Sequence, residues 1–326
     1  MIFLFPVASV SAHTPLFSSN NFDLQSAYTI NDPAKSWAIY ANLPSSSGAA
    51  YYKFQMDAGG DMDISLLSAT NPAESHFLPS FVLMVPGSVS NEPLPSFVQV
   101  PAGYGTMVVN GADPGKATYE PFSPGWYYQL ANLSASAPVT GIYYIAVFDP
   151  NGTGNFGLPV GYLEGYTIPQ IIMLPYDLQL VFAWEGQNPF IVLLPMILAL
   201  VLGGMLVYWS NAKGRGPQNN LSKWAAAFGG LAFLGYAGIN IYQMSLALSK
   251  TGWDPGVAAS LPFILLPLVL GALSLRYAMR QQLKTTIIYR VGLIIIGGIG
   301  LMLWTGLYLG PALVMFAAFL PPYKPR

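Results

Sequence analysis

Of the chain's 326 residues, 53% are apolar and only 8% are charged, and the mean hydropathy is +0.46. That balance excludes an ordinary soluble protein and fits one partly embedded in a membrane. The net charge of −1 conceals a segregation: residues 13–187 set three lysines against thirteen carboxylates, a balance of −10, and residues 188–326 set ten basic groups against Asp254 alone, a balance of +9.

An acidic N-terminal part repels phosphate, which argues against a nucleic-acid partner. The chain has no cysteine, which removes disulfides, thiolate metal sites and cysteine nucleophiles. Residues 1–12, MIFLFPVASVSA, read as a short signal peptide, an apolar run ending in a small-x-small pattern before His13.

Residues 13–167 are expected to form an extracytoplasmic all-β sandwich, antiparallel and jelly-roll-like. Short runs rich in aromatic and β-branched residues lie at 37–43, 51–56, 62–67, 81–85, 106–110, 141–149 and 156–163, separated by Gly, Ser, Pro and Asn clusters. Alternation places Tyr52, Phe54 and Met56 on one face, and Ile142, Tyr144, Ala146 and Phe148 on one face of a later strand. The Pro-rich stretches 71–79 and 119–138 are expected to be long loops.

YYKFQMDAGGDMDISL (residues 51–66) and GIYYIAVFDPNGTGNFGLPVGY (residues 141–162) together resemble the pre-peptidase C-terminal family of β-sandwich modules. That family opens with an aromatic-x-Phe strand and an Ala-Gly turn and closes with Gly-x-Tyr-Tyr and a hairpin. The resemblance implies a non-catalytic module with a binding or spacing role. The intervening residues 68–140 carry no part of it.

Residues 168–188 form a juxtamembrane segment, either an interfacial helix broken at Pro175 or a last strand with a linker. Residues 189–326 are expected to be a bundle of four transmembrane helices, at 189–209, 224–248, 257–277 and about 291–311. Lys213, Arg215 and Lys223 fall in the first loop, and Arg276, Arg280, Lys284 and Arg290 surround the third. The positive-inside rule therefore puts loops 211–223 and 277–290 in the cytoplasm and the sandwich outside the cell membrane. Four spans would leave the basic tail outside.

Chemistry-bearing residues are sparse. Cleavage after Ala12 would make His13 N-terminal, and an N-terminal histidine with His76 could bind copper; two surface histidines are the plainer alternative. Asp57, Asp61 and Asp63 flank a turn and could ligate calcium, or could simply guard a sheet edge. Glu120 and Asp149 stand isolated, and nothing in the sequence pairs them into an acid–base site. Asn132 and Asn151 head glycosylation triplets. The spans hold no ionisable residue at depth, which disfavours a pump. Asn240 and Gln243 are the most polar central groups and suit interhelical hydrogen bonds, or the lining of a passive channel.

The reading from sequence is a non-enzymatic recognition or scaffold protein. Trp126, Tyr127 and Tyr119 form its contact surface, and its partners are the bilayer, other membrane proteins or a second copy met through glycine-rich helix faces. A copper protein and a passive channel are the alternatives.

Overall fold

The computed structural model describes residues 13–69, 77–90, 92–218, 220–280 and 287–320. Eleven strands precede seven α-helices among them. One sheet has six strands in the order β1 (Thr14–Phe17), β3 (Trp37–Leu43), β11 (Gly154–Val160), β5 (Asp61–Ser68), β9 (Gly125–Ser136) and β8 (Thr118–Glu120). The other has five, in the order β2 (Tyr28–Thr29), β4 (Ala49–Met56), β10 (Gly141–Phe148), β6 (Ser80–Pro86) and β7 (Tyr104–Val109). Pairing is antiparallel except that β1 joins β3, and β2 joins β4, in parallel.

The sandwich core lies between the sheets, where Ile39, Leu43, Tyr52, Phe54, Ile64, Leu66, Phe81, Leu83, Tyr143, Ile145, Phe156 and Leu158 are buried. The expected face of Tyr52, Phe54 and Met56 is the inward one. On β10 the inward residues are instead Tyr143, Ile145 and Val147. Ala146 and Phe148 belong to a second apolar layer outside the five-stranded sheet, with Tyr51, Val82 and Met84. Leu94, Phe97 and Val98 cover that layer, so these strands are apolar on both faces and alternation does not reveal their orientation.

The stretch expected as a loop at 119–138 is mostly strand. β9 runs for twelve residues beside β5, with a bulge at Leu66/Leu67, and β8 pairs with its beginning. Of the other expected loop, residues 71–76 lie outside the described residues.

Helix α1 (Ile168–Trp184) continues through Pro175 without a break. At its N-terminus Gln170 Oε1 accepts the Thr167 N–H at 2.8 Å, satisfying one orphan donor. At its C-terminus the Trp184 indole N–H donates to the carbonyls of Ala41 and Phe156, latching the helix to the outer face of the six-stranded sheet.

Among the described residues, three helical segments are long and apolar enough to cross a membrane: Pro189–Ala212 (α2), Leu221–Thr251 (α3), and Val257–Met279, which comprises the short α4 (Val257–Ser260) and α5 (Pro262–Met279). Asn188 and Asn220 cap α2 and α3 through their side-chain oxygens. α3 is central. Its 31 residues reach about 46 Å, more than a bilayer core needs, and its far end packs beneath the sandwich. Small residues bring backbones together around it. A Cβ on Gly230 would lie 2.9 Å from the Gly271 carbonyl of α5, and one on Gly235 would lie 2.6 Å from Met196 Cα of α2. Several helix glycines are therefore occupied within the chain, whereas Gly292 and Gly298 have nothing within 4 Å.

The expected fourth span is not one helix. α6 (Ile287–Met302) ends at a tight turn where Trp304, Leu307 and Tyr308 take left-handed φ values of 41°, 50° and 63°, and α7 (Leu309–Phe319) returns beside α6. Gly297 faces Met315 and Gly300 faces Pro311, as an antiparallel hairpin requires. Arg290 Nη2 donates to the Leu320 carbonyl at 3.0 Å, so both ends of the hairpin meet. About thirty residues, too long for one span, thus form two short helices. Leu320 comes back to the end of the bundle that carries Arg290, not to the sandwich end.

Candidate functional site

The sandwich sits directly on the helices. Tyr119 and Trp126 are 4% and 5% exposed and pack against Ala247 and Val257 of α3 and α4. The Tyr119 hydroxyl is 2.8 Å from Ser260 Oγ, and Ser260 Oγ donates to the Pro121 carbonyl at 2.7 Å. The aromatic set expected to meet another molecule is therefore spent on the chain's own helices, because large rings with one polar atom suit a half-polar junction. Tyr127, the third of that set, points elsewhere.

It points into a cavity of about 80 Å³ at the joint between sandwich and helices. His13 of β1, Tyr40 of β3, Ser65 of β5, Tyr127 and Gln129 of β9, Glu120 of β8, and Trp184 and Glu185 at the end of α1 all line it. A second lobe of about 40 Å³ shares His13, Tyr40, Glu120, Ser123 and Val181. Each strand of the six-stranded sheet presents alternate side chains on its outer face, and α1 lies across that face as a roof. Polar residues on the outer face of a sheet thus become the walls of a partly covered space.

Two carboxyls face this space. Glu120 accepts the Phe122 N–H at 2.9 Å, and burial pushes its pKa up to about 7. Glu185 accepts Gln187 Nε2 at 2.8 Å and the backbone N–H of Trp126; burial, with a smaller contribution from the Glu120 charge, pushes it up to about 8. No lysine or arginine among the described residues forms an ion pair with either. Gly125 makes the approach possible, since a Cβ there would fall 2.7 Å from Glu185 Oε1. The Tyr40 hydroxyl is held well above its usual range by burial, then by Glu120 and Glu185, and Tyr127 is raised by burial and Glu120. The His13 ring touches Ser36 Oγ through Nδ1, and burial lowers its pKa while Glu164 opposes the shift. Tyr166 donates to the His13 carbonyl at 3.0 Å.

No family model and no curated protein matches the chain. Among solved structures it is similar to the pre-peptidase C-terminal domain of a collagenase from Bacillus anthracis, at 19% identity over 40% of this chain and 91% of that one, with a TM-score of 0.24. It is also similar to CorA of Methylomicrobium album BG8, a surface-associated copper-binding protein important in copper acquisition. There the identity is 14% over 46% of this chain and 100% of that one, with a TM-score of 0.23.

His13 lines the joint cavity, and His76 lies outside the described residues. Asp61 and Asp63 sit on the exposed face of β5, hydrogen-bonded to Ser136 and Ser134 of β9, with Asp57 exposed in the preceding turn. Among the described residues no group of three or more His, Cys, Asp or Glu could hold a metal ion. Asn132 and Asn151 are exposed on the sandwich. Asp149 is buried and structural, its carboxylate accepting the N–H groups of Leu78 and Asn151. Asn240 donates to the Tyr236 carbonyl one turn back on α3, and Gln243 pairs with Gln187.

Sequence reasoning missed the convergence of Glu120 and Glu185 on one pocket. The available signal was faint: each is a lone acid within an aromatic stretch, where an unpaired charge is costly and calls for a reason.

Proposed function

We propose that this is a multi-pass membrane protein whose β-sandwich is a non-catalytic recognition module outside the membrane, fixed to the helical domain, with its ligand site in the joint cavity. The cavity itself carries the reading. It is a partly covered pocket where two domains meet, and it combines aromatic walls with a few convergent polar groups, the lining expected of a small-ligand site. Groups whose protonation is displaced toward neutral pH gather at functional sites more often than elsewhere. The basic residues Lys213, Arg215, Arg276, Arg280 and Arg290 lie at the end of the bundle away from the sandwich, which supports an outward sandwich by the positive-inside rule. α2 exposes Ile191, Leu194, Leu198, Val201 and Leu202, a surface suited to lipid.

The test is a thermal-unfolding screen of the full chain in detergent against small cations, anions and neutral compounds. Ser123, which borders both lobes, is replaced in a cavity-filling variant, Ser123→Phe; Ser65→Leu serves if that variant does not fold. A compound that raises Tm in the parent and not in the filled variant supports the site. The reading fails if no compound behaves this way.

A further inference from the structure

We infer that the joint cavity selects a small organic ammonium ion, of the size of methylammonium to trimethylammonium. This rests on the reading of the cavity as the ligand site and adds the class of ligand.

Charge comes first. Glu120 and Glu185 face one partly covered space, and each is satisfied only in part, by one or two N–H donors. The sandwich has few cations to offer them. Lys35 is engaged elsewhere, donating to Gln170 Oε1 at 2.7 Å with its ammonium 4.4 Å from the centre of the Trp37 ring. A cation entering the cavity would supply the missing counter-charge and strengthen both carboxylates by charge-assisted hydrogen bonds.

The walls then separate an organic cation from a metal. No set of three or more His, Cys, Asp or Glu among the described residues is placed to ligate a metal ion. The rings of Tyr40, Tyr127 and Trp184 line the space instead, and aromatic rings attract an alkylated ammonium both as a cation and as an apolar body. Tyr40 and Trp184 hold one another in an edge contact with centroids 4.9 Å apart, so this wall is preformed. Size sets the limit. A cavity of ~150 Å³ accommodates benzene, so this main lobe of about 80 Å³ takes about three or four non-hydrogen atoms.

Protonation adds a signature. With both carboxyls raised toward neutrality, a cation competes with protons, so its affinity rises as pH increases from 6 toward 8.5. The other groups facing the carboxyls do not reverse that trend. They are His13 from β1, with Glu164 acting on it, Tyr40 from β3, Tyr119 from β8, Tyr127 from β9 and Tyr166 before α1; Gln187 after α1 and Gln243 of α3 are uncharged. The tyrosines stay protonated over this range, and burial lowers the His13 pKa, so any proton its ring loses as pH rises also favours a cation.

The experiment is calorimetric titration of the full chain in detergent with methylammonium, dimethylammonium and trimethylammonium, beside sodium, calcium, copper(II), acetate and ethanol, at pH 6.0 and 8.5. The expected result is saturable binding of at least one alkylammonium, tighter at pH 8.5 and weakened tenfold or more in Glu120→Gln and in Glu185→Gln. Binding of acetate, ethanol or a metal ion alone, abolished by Ser123→Phe, would overturn the ammonium assignment and leave the cavity as the site. Alkylammonium binding that survives Ser123→Phe, or that ignores both glutamine variants, would overturn it too. Loss of every response would overturn both readings.

Discussion

Gln187 and Gln243 exchange two side-chain hydrogen bonds, of 2.9 and 2.8 Å, and so join the segment below the sandwich to the central membrane helix. Gln243 is fully buried, and Gln187 also donates to Glu185 at the cavity wall. A continuous polar chain therefore leads from the cavity into α3. Replacing one partner, as in Gln187→Leu, leaves a buried amide unsatisfied and should cost about 1–3 kcal/mol. Replacing both with leucine should cost less than the two single changes added together. A double-mutant cycle on the unfolding of the full chain measures that coupling, and simple additivity would refute the pairing.

The raised carboxyls predict a pH dependence of definite sign. Glu120 and Glu185 have an ordinary value of 4.5 and folded values of about 7 and about 8. The folded chain therefore holds more protons than the unfolded chain between those limits. Their contribution to stability is complete below about pH 4.5 and is lost as pH rises through 7 and 8. His13 acts in the opposite sense below pH 6.5, because its folded value is lowered. The His13 contribution fades above pH 6.5, so the carboxyls dominate the window from pH 6.5 to 8.5. Tm should fall across it, and the slope should flatten in the double variant Glu120→Gln, Glu185→Gln. A parent Tm that rises with pH there would contradict the raised values of the two carboxyls.

The strands that sequence makes plain are those with one solvated face or a strong β composition, such as WAIYANL of β3 and YYKFQM within β4. β9 was hidden because its polar outward face is roofed by α1 and its first residues sit among prolines and aromatics. Trp126 and Tyr119 look alike whether they face a partner or the protein's own α3, since sequence records the chemistry of a ring and not what covers it. The joint cavity was illegible for a different reason. Glu120 lies at the end of β8 and Glu185 just beyond α1, and only the folding of α1 across the sheet brings them together. The break between α6 and α7 carried no proline. Its left-handed residues include Trp304, Leu307 and Tyr308, which ordinarily avoid that conformation.

Glycine contacts in the bundle give a prediction about packing. Gly271 and Gly230 face each other so closely that a Cβ on Gly271 would lie 2.8 Å from the Gly230 carbonyl. Gly271→Val must push α5 from α3 and should destabilise the bundle by about 1–3 kcal/mol, the usual cost of overpacking. Gly292→Ala, on the open side of α6, meets nothing within 4 Å and should be neutral or slightly stabilising through helix propensity. Unfolding in detergent compares the two. Equal effects would mean that the helices do not approach as described.

The α6–α7 hairpin makes a topological prediction that the cysteine-free chain is well suited to test. Arg290 holds the carbonyl of Leu320, and Ser222 at the start of α3 donates to the carbonyl of Ala317 at 2.7 Å. The start of α3 and the end of α7 must therefore share one side of the membrane, with Lys213 close by in sequence after α2. The sandwich, with Asn151 exposed, is at the opposite end. Single cysteines introduced as Asn151→Cys, Lys213→Cys and Leu320→Cys should label in two classes with a membrane-impermeant maleimide. Asn151→Cys should react on intact cells, and the other two only after permeabilisation. A continuous fourth span would reverse Leu320→Cys and make it react with Asn151→Cys. That outcome would refute the hairpin while leaving the sandwich and the three long spans untouched, because neither depends on where α7 ends.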